Sequence, residues 1–168
     1  MIPDLFIALI YHIIGQQIAT KALETIWQRF VDKFGEITPA NIAKQSVQDI
    51  QSVGISMRKA SYIQENAKLI ERGGFELEAL KEMSDEAVAE SLSHLPGVGV
   101  WTAEMLMIFS MERKDILSWD DLIIRRGMCK TYHMNDLNKE QFIEYKKQYS
   151  PYGTIAAFYL WAIGNDKE

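Results

Sequence analysis

A single cysteine, Cys129, stands among the 168 residues. That excludes an internal disulfide and any zinc or iron–sulfur site built on four cysteines. No cluster of His, Cys and carboxylate residues has metal-ligand spacing. Long apolar runs are missing too: Leu5 to Ile14 is too short to span a bilayer, and no Lys or Arg precedes it. It reads as a buried helix of a cytoplasmic chain. The alternating pattern of strands is nearly absent, as are low-complexity stretches and long linkers. An excess of positive charge is also lacking, with 18 Lys and Arg against 23 Asp and Glu. Nucleic-acid binders usually carry a basic face, so a net charge of −5 argues mildly against one. The deficit is uneven, −4 over residues 1–94 and −1 over residues 95–168. Arg113, Lys114, Arg125, Arg126, Lys130, Lys146 and Lys147 can form a local basic surface in the second part, or ordinary solvated helix faces. Charge does not decide the matter.

What remains is helical punctuation around a 48% hydrophobic composition, ample for a packed interior. Asp4 caps a first helix predicted through Gln17, and apolar residues recur at helical spacing from Ala19 to Phe34. Thr38-Pro39 is a cap followed by a first-turn proline. Ser56 opens a helix that stops at Gly73-Gly74, and Ser84 opens one ending near His94. Val100 to Met111 is the next helix, Asn138 with Gln141 resembles a capping box, and Ser150-Pro151 begins a last helix through Trp161 with Gly164 just past it. The expectation is an all-α fold of nine or ten helices in one domain, 1–168. Ile50 to Ser56 forms a faint echo of a second helix–Gly turn–helix junction, or simply a Gly cap.

The most specific string is L-P-G-V-G-V-W-T-A, from Leu95 to Ala103. Pro96 fixes its own φ, while Gly97 and Gly99 permit a tight turn and close approach of the main chain to another surface. Val98 anchors the turn in the core. The helix starting near Val100 then presents unsatisfied N–H groups and the positive end of its dipole, an arrangement that accepts a phosphate without any lysine. An ordinary helix–turn–helix corner would use the same glycines. After one apolar helix come the paired acids Asp120 and Asp121. Such pairs are commonly a cap plus a surface charge, with Asp120 a candidate cap.

Taken together, these stretches resemble the helix-hairpin-helix DNA glycosylase superfamily, which carries a Gly/Pro-rich loop and a catalytic Asp. The hairpin, about residues 90–111, matches its signature. So do I-I-G-Q-Q-I-A at Ile13–Ala19, G-I-S-M-R-K-A-S-Y-I at Gly54–Ile63, W-D-D-L-I-I-R-R-G at Trp119–Gly127 and Y-L-W-A at Tyr159–Ala162. The resemblance covers essentially the whole chain and is closest to the alkylated-base branch of 3-methyladenine DNA glycosylase II. It implies two helical lobes flanking a base-binding cleft. The N-terminal part of the usual family chain is short or missing here, with about a dozen residues before the Gln segment.

By that resemblance the partner is double-stranded DNA with a damaged base, which must be swung out of the stack. Pro96, Gly97, Val98, Gly99, Val100 and Thr102 would grip the backbone, with Gln16, and Gln17 would fill the gap left by the base. Asp121 aligns with the catalytic aspartate, because the signature reads D-L-x-x-R-R. Its carboxylate would stabilise positive charge on the sugar and orient or deprotonate water. Trp101 and Trp161 match pocket aromatics, and Tyr11, Tyr62 and Trp119 are further candidates. Met105 takes the place of another pocket aromatic.

Strand-cutting relatives carry a lysine at the position of Trp101, so the resemblance implies a monofunctional glycosylase without lyase chemistry. It implies no cofactor and no iron–sulfur cluster, but a monovalent cation, Na⁺ or K⁺, on the carbonyls of Ser93, Leu95 and Val98. The implied molecule is a monomer in base excision repair, cytoplasmic and nucleoid-associated or wherever DNA is held, and not secreted. A non-catalytic DNA-binding module, or a glycosylase with another damaged-base preference, stands as the alternative.

Overall fold

In the computed structural model, residues 2–166 are described. Among them are ten α-helices, one 3₁₀ turn and no strand, so the all-α expectation holds. The chain divides into two units, Met1–Met111 and Glu112–Glu168. No helix among the described residues is long and apolar enough to cross a membrane.

The first unit is built around α1, Leu5–Gly15, opened by the Asp4 carboxylate, which accepts from the Ile7 N–H at 2.9 Å. Leu9, Ile10, Ile13 and Ile14 on it are fully buried. Each such side chain contributes about 1.5–3 kcal/mol by leaving water. The apolar run is therefore the central helix of the unit, packed against α2 (Thr20–Phe34), α5 (Met57–Glu71) and α7 (Val100–Phe109). Short α3 (Pro39–Ala43) and α4 (Val47–Gln51) lie on α5, and α6 (Asp85–Ser93) lies on α7. Their starts follow local chemistry: Thr38, Ser46, Ser56 and Ser84 each accept an N–H three residues on. Between α5 and α6 sits a 3₁₀ turn, Glu78–Glu82, that periodicity does not announce.

The first helix ends at Gly15, two residues before the predicted Gln17, and α7 ends at Phe109 rather than Met111. Gln17 takes a left-handed backbone, φ 57°, which cannot continue a right-handed helix.

The second unit holds α8 (Leu122–Thr131), α9 (Lys139–Tyr149) and α10 (Gly153–Asn165) around Leu117, Ile124, Met128, Leu137, Phe142, Ala157 and Leu160. Asn138 and Gln141 form the full reciprocal capping box. The last helix differs from the expectation at both ends. It begins at Gly153, whose N–H donates to Asp115 at 2.9 Å, and it runs past Trp161 to Asn165. Gly164 thus lies inside the helix rather than beyond it. Tertiary packing is the reason. A Cβ on Gly164 would sit 2.3 Å from the Ile123 carbonyl oxygen, and one on Gly127 would sit 2.2 Å from that of Leu160. The two glycines let α8 and α10 cross backbone to backbone.

Candidate functional site

The hairpin turn links α6 to α7 through residues 94–99. Leu95 and Val98 are buried and joined by a Val98 N–H to Leu95 carbonyl bond of 3.1 Å. Gly97 adopts φ 76°, the left-handed region that favours glycine. Gly99 caps α7 in an extended conformation, with open space where a Cβ would be. Val100 is exposed and Thr102 buried. An exposed helix start whose N-cap, Gly99, offers no side-chain hydrogen bond follows the turn, as an anion-gripping corner requires.

Two side chains of α5, Asn66 and Tyr62, meet this turn, and a third, Lys59, meets the end of α1 instead. Asn66 donates its amide N–H to the Pro96 carbonyl at 2.9 Å. The Tyr62 ring fills the space where a Gly97 Cβ would project, with Cδ2 only 2.1 Å away. Lys59 donates to the Ile14 and Gln16 carbonyls at 2.8 and 2.7 Å. Burial lowers the Lys59 pKa from its ordinary value.

Gln16 completes the arrangement. Its amide donates to the Gly97 carbonyl at 2.8 Å and to Thr102 Oγ1 at 3.0 Å. Both amide N–H groups are thereby spent on the hairpin. Gln17 beside it is exposed. Composition and spacing do not separate the two glutamines, and only the family resemblance gives Gln17 the gap-filling role; the structure gives them different surroundings. Of the other candidates in this unit, Trp101 is half-buried in the first turn of α7, and Met105 is buried at 2% exposure. Tyr11 is half-buried, edge-on to Trp27 at 5.3 Å between ring centres. Burial, with the Glu24 charge, raises its pKa.

In the second unit Asp121 is the N-cap of α8. Its Oδ1 accepts from the Ile123 and Ile124 N–H groups at 2.9 and 3.0 Å, and the residue is 7% exposed. Asp120, the candidate cap, is exposed instead. The cap falls one residue later, and so the held carboxylate is the one the signature marks. Trp119 packs edge-on against Phe142 at 5.3 Å, and the Arg125 guanidinium lies 4.8 Å over its ring. Trp161 is half-buried and edge-on to Phe158, which is 49% exposed.

Lys59 and Asn66 receive no role from the sequence, and Phe158 is not singled out by it at all. For Lys59 and Asn66 a signal was available: with Tyr62 they are spaced i, i+3, i+7, one face of a helix. Among the described residues no group of three or more His, Cys, Asp or Glu can hold a metal ion. The Ser93, Leu95 and Val98 carbonyls belong to the end of α6 and the turn. They are neutral backbone oxygens, and Ser93, as the last residue of α6, bears one that the helix leaves unmatched. That donor set fits a monovalent cation.

Comparison with known proteins agrees with this architecture. The family model described as HhH-GPD superfamily base excision DNA repair protein matches residues 10–150. DNA-3-methyladenine glycosylase 1 of Schizosaccharomyces pombe is 31% identical, covering 91% of this chain and 69% of its own. The YfjP protein of Bacillus subtilis is 29% identical, over 89% of this chain and 55% of its own. The chain thus spans little more than half to about two thirds of these relatives. The crystal structure of a Bacillus halodurans DNA-3-methyladenine glycosidase superposes with a TM-score of 0.85 at 31% identity, covering 98% of this chain and 77% of that one. The S. pombe 3-methyladenine glycosylase in complex with abasic DNA gives 0.84 at 30% identity, over 94% and 79%. With its hairpin, glutamine segment and capped aspartate in that frame, the chain belongs to the HhH-GPD superfamily of base excision DNA repair proteins.

Proposed function

We propose that this chain is a monofunctional DNA glycosylase that releases alkylated bases of the 3-methyladenine type from duplex DNA. The observation that carries the reading is Asp121. It is a nearly buried carboxylate fixed by two backbone N–H groups, at the position the family signature marks. The names of the relatives support the substrate class, and the S. pombe structure with abasic DNA supports DNA as partner.

In this reading the hairpin N–H groups hold a phosphate while Gln17 occupies the space vacated by the flipped nucleotide. The N-glycosidic bond breaks with its electron pair leaving on the base, and positive charge grows on the sugar. Asp121 stabilises that charge and orients a water, whose oxygen bonds the anomeric carbon and whose proton passes to the carboxylate or to solvent. An alkylated purine is cationic and leaves readily. Trp101 and Trp161 then supply aromatic faces, each worth about 0.5–2 kcal/mol to a cation. Tryptophan at position 101 cannot form a Schiff base, so strand cleavage by an amine nucleophile has no group there. The Ser93, Leu95 and Val98 carbonyls would hold a monovalent cation, which when bound adds positive charge beside the phosphate.

Incubation with methylated duplex DNA, alongside Asp121→Asn, tests the reading. Free base released by the wild type and not by the variant is expected. No release above the protein-free control, with DNA binding intact, would leave a non-catalytic binding module, and equal enzymatic release by both proteins would remove Asp121 from the catalytic role.

A further inference from the structure

A lysine that the proposed chemistry does not use occupies the end of α1. The last carbonyls of a helix have no partner within it and carry its negative end. Lys59, reaching from α5, donates to the Ile14 carbonyl inside α1 and to the Gln16 carbonyl just beyond it, at 2.8 and 2.7 Å. These two bonds bracket the point at which α1 stops. Gln17, the next residue, then stands exposed at φ 57°, a left-handed backbone conformation that a non-glycine residue adopts only where its surroundings hold it there. One and two turns along the same face of α5, Tyr62 and Asn66 fix Gly97 and Pro96. Gln16 ties the two loops directly through the Gly97 carbonyl. One helix face therefore sets the separation between the projecting glutamine and the backbone-gripping turn.

We infer that Lys59 is a positioning residue for base eversion: its ammonium locks the end of α1 so that Gln17 projects at a fixed offset from the hairpin. This rests on the glycosylase reading for the role of Gln17. Arginine also has several donors and a fixed charge, so it can take both carbonyls; methionine keeps the length and loses both bonds and the charge.

The test uses duplex DNA with an abasic-site analogue and 2-aminopurine opposite it, a base whose fluorescence rises when unstacked. Wild type, Lys59→Met and Lys59→Arg are compared for that rise and for affinity to undamaged duplex, which reports the hairpin. The expected result is a fluorescence rise cut about tenfold in Lys59→Met. Affinity for undamaged duplex stays within about twofold, and Lys59→Arg restores most of the rise. An unchanged rise in Lys59→Met overturns the inference, as does a parallel fall of rise and duplex affinity. Should Lys59→Met fail to fold, as judged by its unfolding midpoint, Lys59→Gln takes its place, and the same two outcomes support or overturn the inference. A wild type that releases methylated base yet leaves 2-aminopurine stacked overturns the positioning role and leaves the glycosylase reading standing. A wild type that unstacks the probe through Lys59 but releases no base does the reverse.

Discussion

Gly97 and Tyr62 are packed so closely that the turn admits no side chain: the Cβ position of the glycine lies 2.1 Å from the tyrosine Cδ2. The same glycine has φ 76°. Gly97→Ala therefore meets two separate penalties, about 1 kcal/mol for the backbone and about 1–3 kcal/mol for the overlap. In a Tyr62→Ala background the overlap vanishes and the backbone part persists. Urea unfolding of the four proteins of the double-mutant cycle reads the coupling directly. Additive effects would show that the ring does not constrain the turn.

Asp121 both caps α8 and is the proposed catalytic group, and the two roles separate by substitution. Asparagine is as good a helix cap as aspartate, whereas alanine costs about 1 kcal/mol. Asp121→Asn is expected to keep its unfolding midpoint while base release falls about a hundredfold or more. Asp121→Ala should lose both. Single-turnover release beside thermal unfolding checks the pair.

Most of the helices were legible because their starts are local events. Asp4, Thr38, Ser56, Ser84 and the Asn138–Gln141 box need only an oxygen and an N–H three residues away. What escaped was decided at a distance. Gly164 has the composition of a helix terminator, yet contact with Ile123 across the α8–α10 crossing keeps it helical. The early end of α1 is bracketed by Lys59, more than forty residues along the chain. Asp120 and Asp121 are chemically identical, and which one caps is fixed by the backbone alone. Gln16 and Gln17 are likewise chemically identical, and only the family resemblance tells them apart in the sequence, although one bonds the hairpin and the other is exposed.

The crossing of α8 and α10 gives a prediction about scaffold rather than site. Gly127→Ala places a methyl 2.2 Å from the Leu160 carbonyl oxygen, and backbone cannot rotate aside as a side chain does. A loss of about 3 kcal/mol is expected, read as a lower unfolding midpoint. Because Asp121 caps α8, base release should fall with it, whereas Ala162→Gly in the exposed part of α10 should cost only about 1 kcal/mol.

His12 makes stability depend on pH in a direction that can be worked out. It lies on α1, 9% exposed, stacked on Phe109 at 6.0 Å and edge-on to Tyr11 at 5.6 Å. Burial pushes its pKa from 6.5 down to about 4. Between those values the unfolded chain binds a proton that the folded chain does not, so stability falls as pH falls. The loss is about 1.5 kcal/mol by pH 5.5 and about 3 kcal/mol once both states are protonated. The imidazole Nε2 is buried without a hydrogen-bond partner, so His12→Phe forfeits no bond there and gains a ring that stacks on Phe109. At pH 7.5 that variant should match or exceed the wild type. Carboxylates add their own slope to both proteins, and the difference between the two urea-unfolding curves from pH 7.5 to 4.5 removes it. A difference that grows on acidification assigns the slope to His12, and a flat one denies it.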